Sequence, residues 1–154
     1  MRVKLVLGFL LLFGMALVLF RSMRRPLPIR YKNPFALLQT NPSDWKGLVG
    51  ADRYGHLKFD TVVNGVRAGF INLIQYFNSG LVTIGHIVTR YAPENPGIYI
   101  QRVVQETGFG RDEVLSKGAL FQVGRAIVEV EAGTFWVDEG IFLDGWRQAN
   151  AYRG

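Results

Sequence analysis

Two glutamates stand where a carboxyl group can do acid–base work. Glu131 closes the run Ala126-Ile127-Val128-Glu129-Val130-Glu131, and Glu94 sits with Asn95 between Pro93 and Pro96. A carboxylic acid donates a proton near neutral pH only where its surroundings disfavour the ion, and burial among apolar groups is the commonest cause. Glu131 meets that condition on helical spacing. It follows Ile127 by four and adjoins Val130, at the inward edge of the stripe Leu120, Val123, Ile127 and Val130, while Glu129 points about 160° away from it. Glu94 has the opposite setting. Directly ahead of a helix N-terminus, its ionised form is favoured by the dipole and by free backbone N–H groups. Glu131 therefore reads as a proton donor and Glu94 as a fixed anion. Each also has a plainer reading: Glu94 as a neighbour of a helix cap, and Glu131 as a helix-end carboxylate paired with Arg125 or Arg147. Asp60, beside Gly65-Val66-Arg67-Ala68, is a third carboxylate that turn formation alone would explain. Arg67, between Val66 and Ala68 on a helix, is expected to anchor a buried carboxylate such as Asp60 or Glu131.

The elements that must position these groups follow from periodicity and punctuation. Val63, Val66, Phe70, Leu73 and Phe77 recur at three and four, and Asn78-Ser79-Gly80 stops that helix. Thr83 caps a short helix, Ile84 to Ala92, ended by Pro93. Asn95 as cap and Pro96 as first residue open the next, which closes at Gly108. Asp112 and Ser116 are candidate caps for a longer helix ending near Gly133, and a last one runs from Val137 or Asp138 through Ala149. Upstream, Leu48 to Val63 reads as a short hairpin turning near Tyr54-Gly55-His56. Pro26, Pro28, Pro34 and Pro42 forbid a long helix before it and suggest an extended linker into an irregular lobe, with function beginning no earlier than Ile29. Gly108-Phe109-Gly110 fits a helix-to-helix turn, since no Lys-Ser/Thr follows to make a phosphate loop.

The chain of 154 residues is 49% hydrophobic, enough for one domain with a core. An appendage precedes it. Leu5–Phe20 is an unbroken apolar run with Arg2 and Lys4 before it and Arg21, Arg24 and Arg25 after. Its helix would span about 24 Å against a hydrocarbon core of about 30 Å, with snorkelling arginines covering the difference. The basic flank offers no small-residue cleavage site, so an uncleaved single-pass anchor over residues 1–25 is expected, with the domain at 26–154. All twelve acidic residues lie beyond residue 25, where thirteen basic ones nearly balance them. The formal charge of +6 is thus a membrane-flank signal, and no specific nucleic-acid partner is expected. Without cysteine there are no disulfides, thiolate chemistry or Cys-based zinc sites. His56 and His86 form no metal constellation and read as structural side chains, so neither metal nor cofactor is expected.

The order of several short pieces resembles a known family. Asn33-Pro34, Trp45-x-Gly47, Phe59 to Gly65-Val66-Arg67-Ala68, Leu73-x-x-Tyr76, Thr83-Ile84-x-x-Ile87, Arg90-Tyr91-Ala92-Pro93-Glu94-Asn95, Tyr99-Ile100-x-x-Val103 and Ala126-Ile127-x-x-x-Glu131-x-Gly133 come in the order seen in small proteins of membrane-containing phages and their prophages. These are described as virion structural proteins or peptidoglycan-degrading lysis proteins. The resemblance spans roughly residues 29–150. It departs from the family pattern in the opening Tyr31-Lys32-Asn33-Pro34-Phe35, in the shortened Pro93-Glu94-Asn95 spacing, and in Glu131-Ala132-Gly133 where the family has Glu-Asn-Gly.

The elements read as a mainly α domain with a minor β lobe behind the single transmembrane helix, and what the resemblance implies is that this domain is lysozyme-like. It would act on peptidoglycan as a muramidase or lytic transglycosylase, in the virion or at lysis. The localisation implied is a virion membrane, or a bacterial inner membrane with the domain facing the periplasm. Cleaving a glycosidic bond needs a proton for the leaving oxygen, which assigns Glu131 and Glu94 as catalytic candidates. Asn95, Tyr91, Tyr99 and Arg67 are then substrate-binding candidates, the tyrosines by stacking on sugars. The lipid bilayer, through residues 5–20, and other virion proteins are the further expected partners. The alternative is a non-enzymatic virion membrane protein that keeps the scaffold.

Overall fold

The Thr61 hydroxyl accepts the Asn64 N–H at 3.3 Å and starts the longest helix among the described residues. In this computed structural model, which describes residues 25–39 and 45–152, the order is α1 (Leu27–Arg30), β1 (Leu48–Ala51), β2 (Leu57–Phe59), α2 (Val62–Asn78), α3 (Ile84–Tyr91), α4 (Pro96–Thr107), a 3-10 turn (Lys117–Ala119), α5 (Leu120–Ala132) and α6 (Glu139–Asn150). The fold is mainly helical, with one small antiparallel sheet of β1 and β2. The apolar run Leu5–Phe20 lies outside the described residues. Among the described residues no helix is long and apolar enough to cross a membrane.

Local chemistry sets most boundaries. The Thr83 hydroxyl accepts the His86 N–H at 3.1 Å at the start of α3, and Gly108 and Gly133 end α4 and α5 in the left-handed region. Ser116 caps the 3-10 turn, and the Asp138 carboxylate accepts from Gly140 and Ile141 at the start of α6. Asn95 occupies the cap position ahead of Pro96, but its side chain makes no capping hydrogen bond.

The apolar face of α2 packs against α6, and Phe70 is the hub. Its ring lies 4.8 Å from Trp146, 5.0 Å from Phe142 and 5.2 Å from Phe35, centroid to centroid. Edge-on pairs of this kind add about 0.5–1.5 kcal/mol each beyond their burial. Phe35 reaches the hub only because α2 presents no side chain there: a Cβ on Gly69 would fall 2.0 Å from its ring, and one on Gly65 would fall 2.0 Å from the Lys32 carbonyl oxygen. The glycines of the Gly65-Val66-Arg67-Ala68-Gly69 run thus admit the segment before the sheet.

That segment is not the extended linker expected from its prolines. Pro26 precedes one helical turn, Pro28 is buried, and residues 32–38 fold back over the sheet. Lys32 and Ala36 both take positive φ, 51° and 47°, which costs a residue with a Cβ free energy unless its surroundings enforce it. Asn33 between them does so. Its buried amide donates to the Leu37 and Leu57 carbonyls and accepts the Leu37 N–H, each at 3.0 Å. Further ties are the Leu57 N–H to the Leu37 carbonyl at 3.0 Å and the Phe59 N–H to the Tyr31 carbonyl at 2.9 Å.

Candidate active site

Glu131 sits in the last turn of α5, where the apolar stripe carries it inward against α4. The Tyr99 hydroxyl donates to its Oε1 at 2.7 Å. Burial pushes the Glu131 carboxyl above its ordinary value, opposed by the Tyr99 hydrogen bond and by the charge of His56. Neither Arg125 nor Arg147 neutralises it. Arg125 pairs instead with Glu139 of α6 and lies 3.9 Å over the Phe135 ring.

Two tyrosines surround the carboxyl. Tyr91, at the end of α3, donates its hydroxyl to the Phe35 carbonyl and packs its ring 6.0 Å from that of Tyr99. Burial, then the nearby Glu131, raises the Tyr91 phenol well above its usual range. The Tyr99 phenol is raised by burial, then by Tyr91 and Glu131. Both therefore stay protonated, and Tyr99 is a permanent donor to the acid.

Glu131 lies where two hollows meet. The smaller, about 290 Å³, is walled by Pro26, Leu27, Pro28, Tyr31 and Asn33. The larger, about 640 Å³, is lined by Trp45, Asn72, Gln75, Tyr76, Arg90 and Tyr91. Ala36, His56 and Glu131 belong to both. The two adjoining hollows, taken as the lobes of one candidate groove, share a protonatable acid in their walls. Aromatic rings and side-chain amides in the larger lobe suit a polyhydroxylated ligand, which presents apolar faces and hydroxyl edges.

His56 enters from the turn between β1 and β2. The Asp52 carboxylate accepts the Tyr54 N–H at 2.8 Å and the His56 N–H at 3.0 Å, and its Oδ2 lies 3.0 Å from His56 Nδ1. Desolvation pushes the Asp52 carboxyl up, but these backbone and ring hydrogen bonds outweigh it and hold the pKa at about 2. Among the described residues, no group of three or more His, Asp or Glu is disposed to hold a metal ion.

The remaining sequence candidates fall elsewhere. Glu94 and Asn95 are exposed in the turn before α4. Pro93 lines the larger lobe and Glu94 does not, so the two glutamates are not brought together as lining groups. Arg67 holds neither Asp60 nor Glu131: its guanidinium lies 5.0 Å over the Tyr152 ring, and it is not a groove residue. Asp60 accepts from the Asn64 side chain at 2.8 Å, which is the largest influence lowering its carboxyl pKa, and serves the start of α2. The sequence alone reads His56 as a structural side chain and singles out none of Asp52, Asn72, Gln75 or Arg90 as a site residue. The only available signal was the i, i+4 spacing of Asp52 and His56 across a glycine turn.

No protein-family model matches the chain, and no curated protein matches it.

Proposed function

We propose that the protein is a membrane-anchored, phage-type enzyme that cleaves peptidoglycan glycan strands, as a muramidase or lytic transglycosylase with a lysozyme-like helical domain. The observation that carries this reading is Glu131: a carboxyl held towards its neutral form by burial, given a phenolic donor by Tyr99, and set in the walls of both lobes of the candidate groove. A strand lying through both lobes would bring a glycosidic oxygen to Glu131. Proton transfer to that oxygen lets the bond break, and Tyr99 then stabilises the carboxylate left behind. Trp45, Tyr76 and Tyr91 offer ring faces for sugars, and Asn72 and Gln75 offer amides for hydroxyl and acetamido groups.

The test is fragment release from purified peptidoglycan by the full chain in detergent. Glu131→Gln is expected to reduce it about 10²-fold or more, the scale of a lost general acid. Mass spectrometry of the products separates anhydro ends from reducing ends. A wild-type protein that binds the wall and releases nothing points instead to the non-enzymatic virion scaffold.

A further inference from the structure

We infer that His56 is the general base facing Glu131, held in the required tautomer by Asp52 as its positioning residue; the assignment rests on the glycan-cleaving reading. Three observations converge. His56 is one of the residues that, with Glu131, belongs to both lobes of the groove. Its Nδ1 is committed to Asp52 Oδ2 at 3.0 Å. Its backbone is fixed on both sides, since the His56 N–H donates to Asp52 Oδ1 at 3.0 Å, and the His56 carbonyl accepts the Asp52 N–H at 3.0 Å. A bridge to Leu38 fixes the other edge.

An ionised Asp52 only accepts hydrogen bonds, so Nδ1 carries a proton whether the ring is charged or neutral, and in the neutral form the lone pair is left on Nε2. The pairing seen in a structural turn would need only the two backbone donors to Asp52. It would not need an imidazole on the groove wall.

The step balances without any co-reactant beyond the nucleophile. An attacking water gives a proton to Nε2 as its oxygen bonds to the anomeric carbon from the face opposite the leaving group. The glycosidic C–O bond breaks, its electron pair goes to the leaving oxygen, and that oxygen takes the Glu131 proton. An imidazolium and a carboxylate remain, and transfer of one proton back through solvent resets the pair. Of the charged groups on the elements packed here, Asp52 touches the imidazole and Glu131 of α5 shares both lobes with it; Arg90 of α3 lines the larger lobe, Arg53 lies over the Tyr54 ring of the same turn, and Lys58 of β2 lies over Tyr31 of the smaller lobe.

Two measurements test this separately from the overall function. In 15N NMR of the full chain near pH 7.5, the wild type should show a protonated Nδ1 and an unprotonated Nε2, and Asp52→Asn should lose that preference. A wild-type Nε2–H tautomer overturns the proposal, because the ring would have nothing with which to accept. In the peptidoglycan assay, His56→Gln and His56→Ala should each lose about 10²-fold or more in kcat with little change in KM. Added imidazole should restore part of the His56→Ala rate. A folded His56→Gln that keeps more than a third of the wild-type rate, or a His56→Ala that imidazole leaves unchanged, refutes the base assignment while the Glu131 reading stands. A wild type with no cleavage removes the reaction itself, and the base with it.

Discussion

Asn33→Ala is expected to cost about 4–6 kcal/mol. The wild-type amide is 1% exposed and makes three hydrogen bonds of 3.0 Å, two donated and one accepted. At about 1 kcal/mol each the bonds account for roughly 3 kcal/mol. Their loss is unequal. The Leu37 carbonyl keeps the bond from the Leu57 N–H, whereas the Leu37 N–H loses its side-chain acceptor in a residue only 8% exposed. An orphaned buried donor adds about 1–3 kcal/mol. The positive φ angles of Lys32 and Ala36 would then lack the brace that enforces them. Urea denaturation monitored by tryptophan fluorescence reads the change as a shift in midpoint at constant slope. Asn33→Asp is the informative companion, because it keeps the shape but faces a carboxylate towards the Leu37 and Leu57 carbonyls, and it should be at least as damaging. A loss under about 1 kcal/mol in both variants would refute the view that this amide holds the groove wall.

Glu131→Gln should stabilise the fold increasingly as pH rises. The folded-state carboxyl is raised above its ordinary value, so its stabilising contribution is complete below about pH 4.5 and is lost as pH climbs through the folded value. The urea midpoints of variant and wild type should therefore separate between pH 4 and pH 7.5, and a constant gap contradicts the burial argument. Tyr99→Phe removes the donor that favours the Glu131 carboxylate, so the alkaline limb of the activity profile should move to higher pH, at a stability cost of about 1 kcal/mol. Gly69→Ala should lose about 1–3 kcal/mol by driving a methyl into the Phe35 ring, as a thermal melt would show. Glu94→Gln, at an exposed position, should change stability by less than about 0.5 kcal/mol and leave wall cleavage within twofold.

Local rules read well from the chain, because caps, glycine stops and the apolar period act within one or two turns. Thr83, Asn95-Pro96, Gly108, Ser116 and Gly133 mark helix ends at or beside the observed ones. The inward placement of Glu131 was equally legible, since four-residue spacing from Ile127 fixes its side of the helix. What it meets there was not. Tyr99 is 32 residues away and Asn33 reaches Leu57 across 24, distances over which spacing says nothing. Arg67 failed for a related reason: a guanidinium next to apolar residues has more than one satisfying neighbour, and here the Tyr152 ring supplies it rather than a carboxylate. The prolines before the sheet misled because they exclude long helices without excluding burial, and Pro28 is buried.

The wall that Pro26, Leu27 and Pro28 give to the smaller lobe has a mechanical consequence. Phe20, the last residue of the apolar run, and Leu27 are seven residues apart, a contour of about 25 Å at most. With Leu5–Phe20 embedded in a bilayer, the groove would operate on a leash no longer than that contour. It would graze only the layer of wall next to the lipid and would advance by gliding in the plane of the membrane. The same leash would make pull on the anchor and the shape of the groove one coupled variable, because tension applied at Phe20 arrives first at the residues that form its wall.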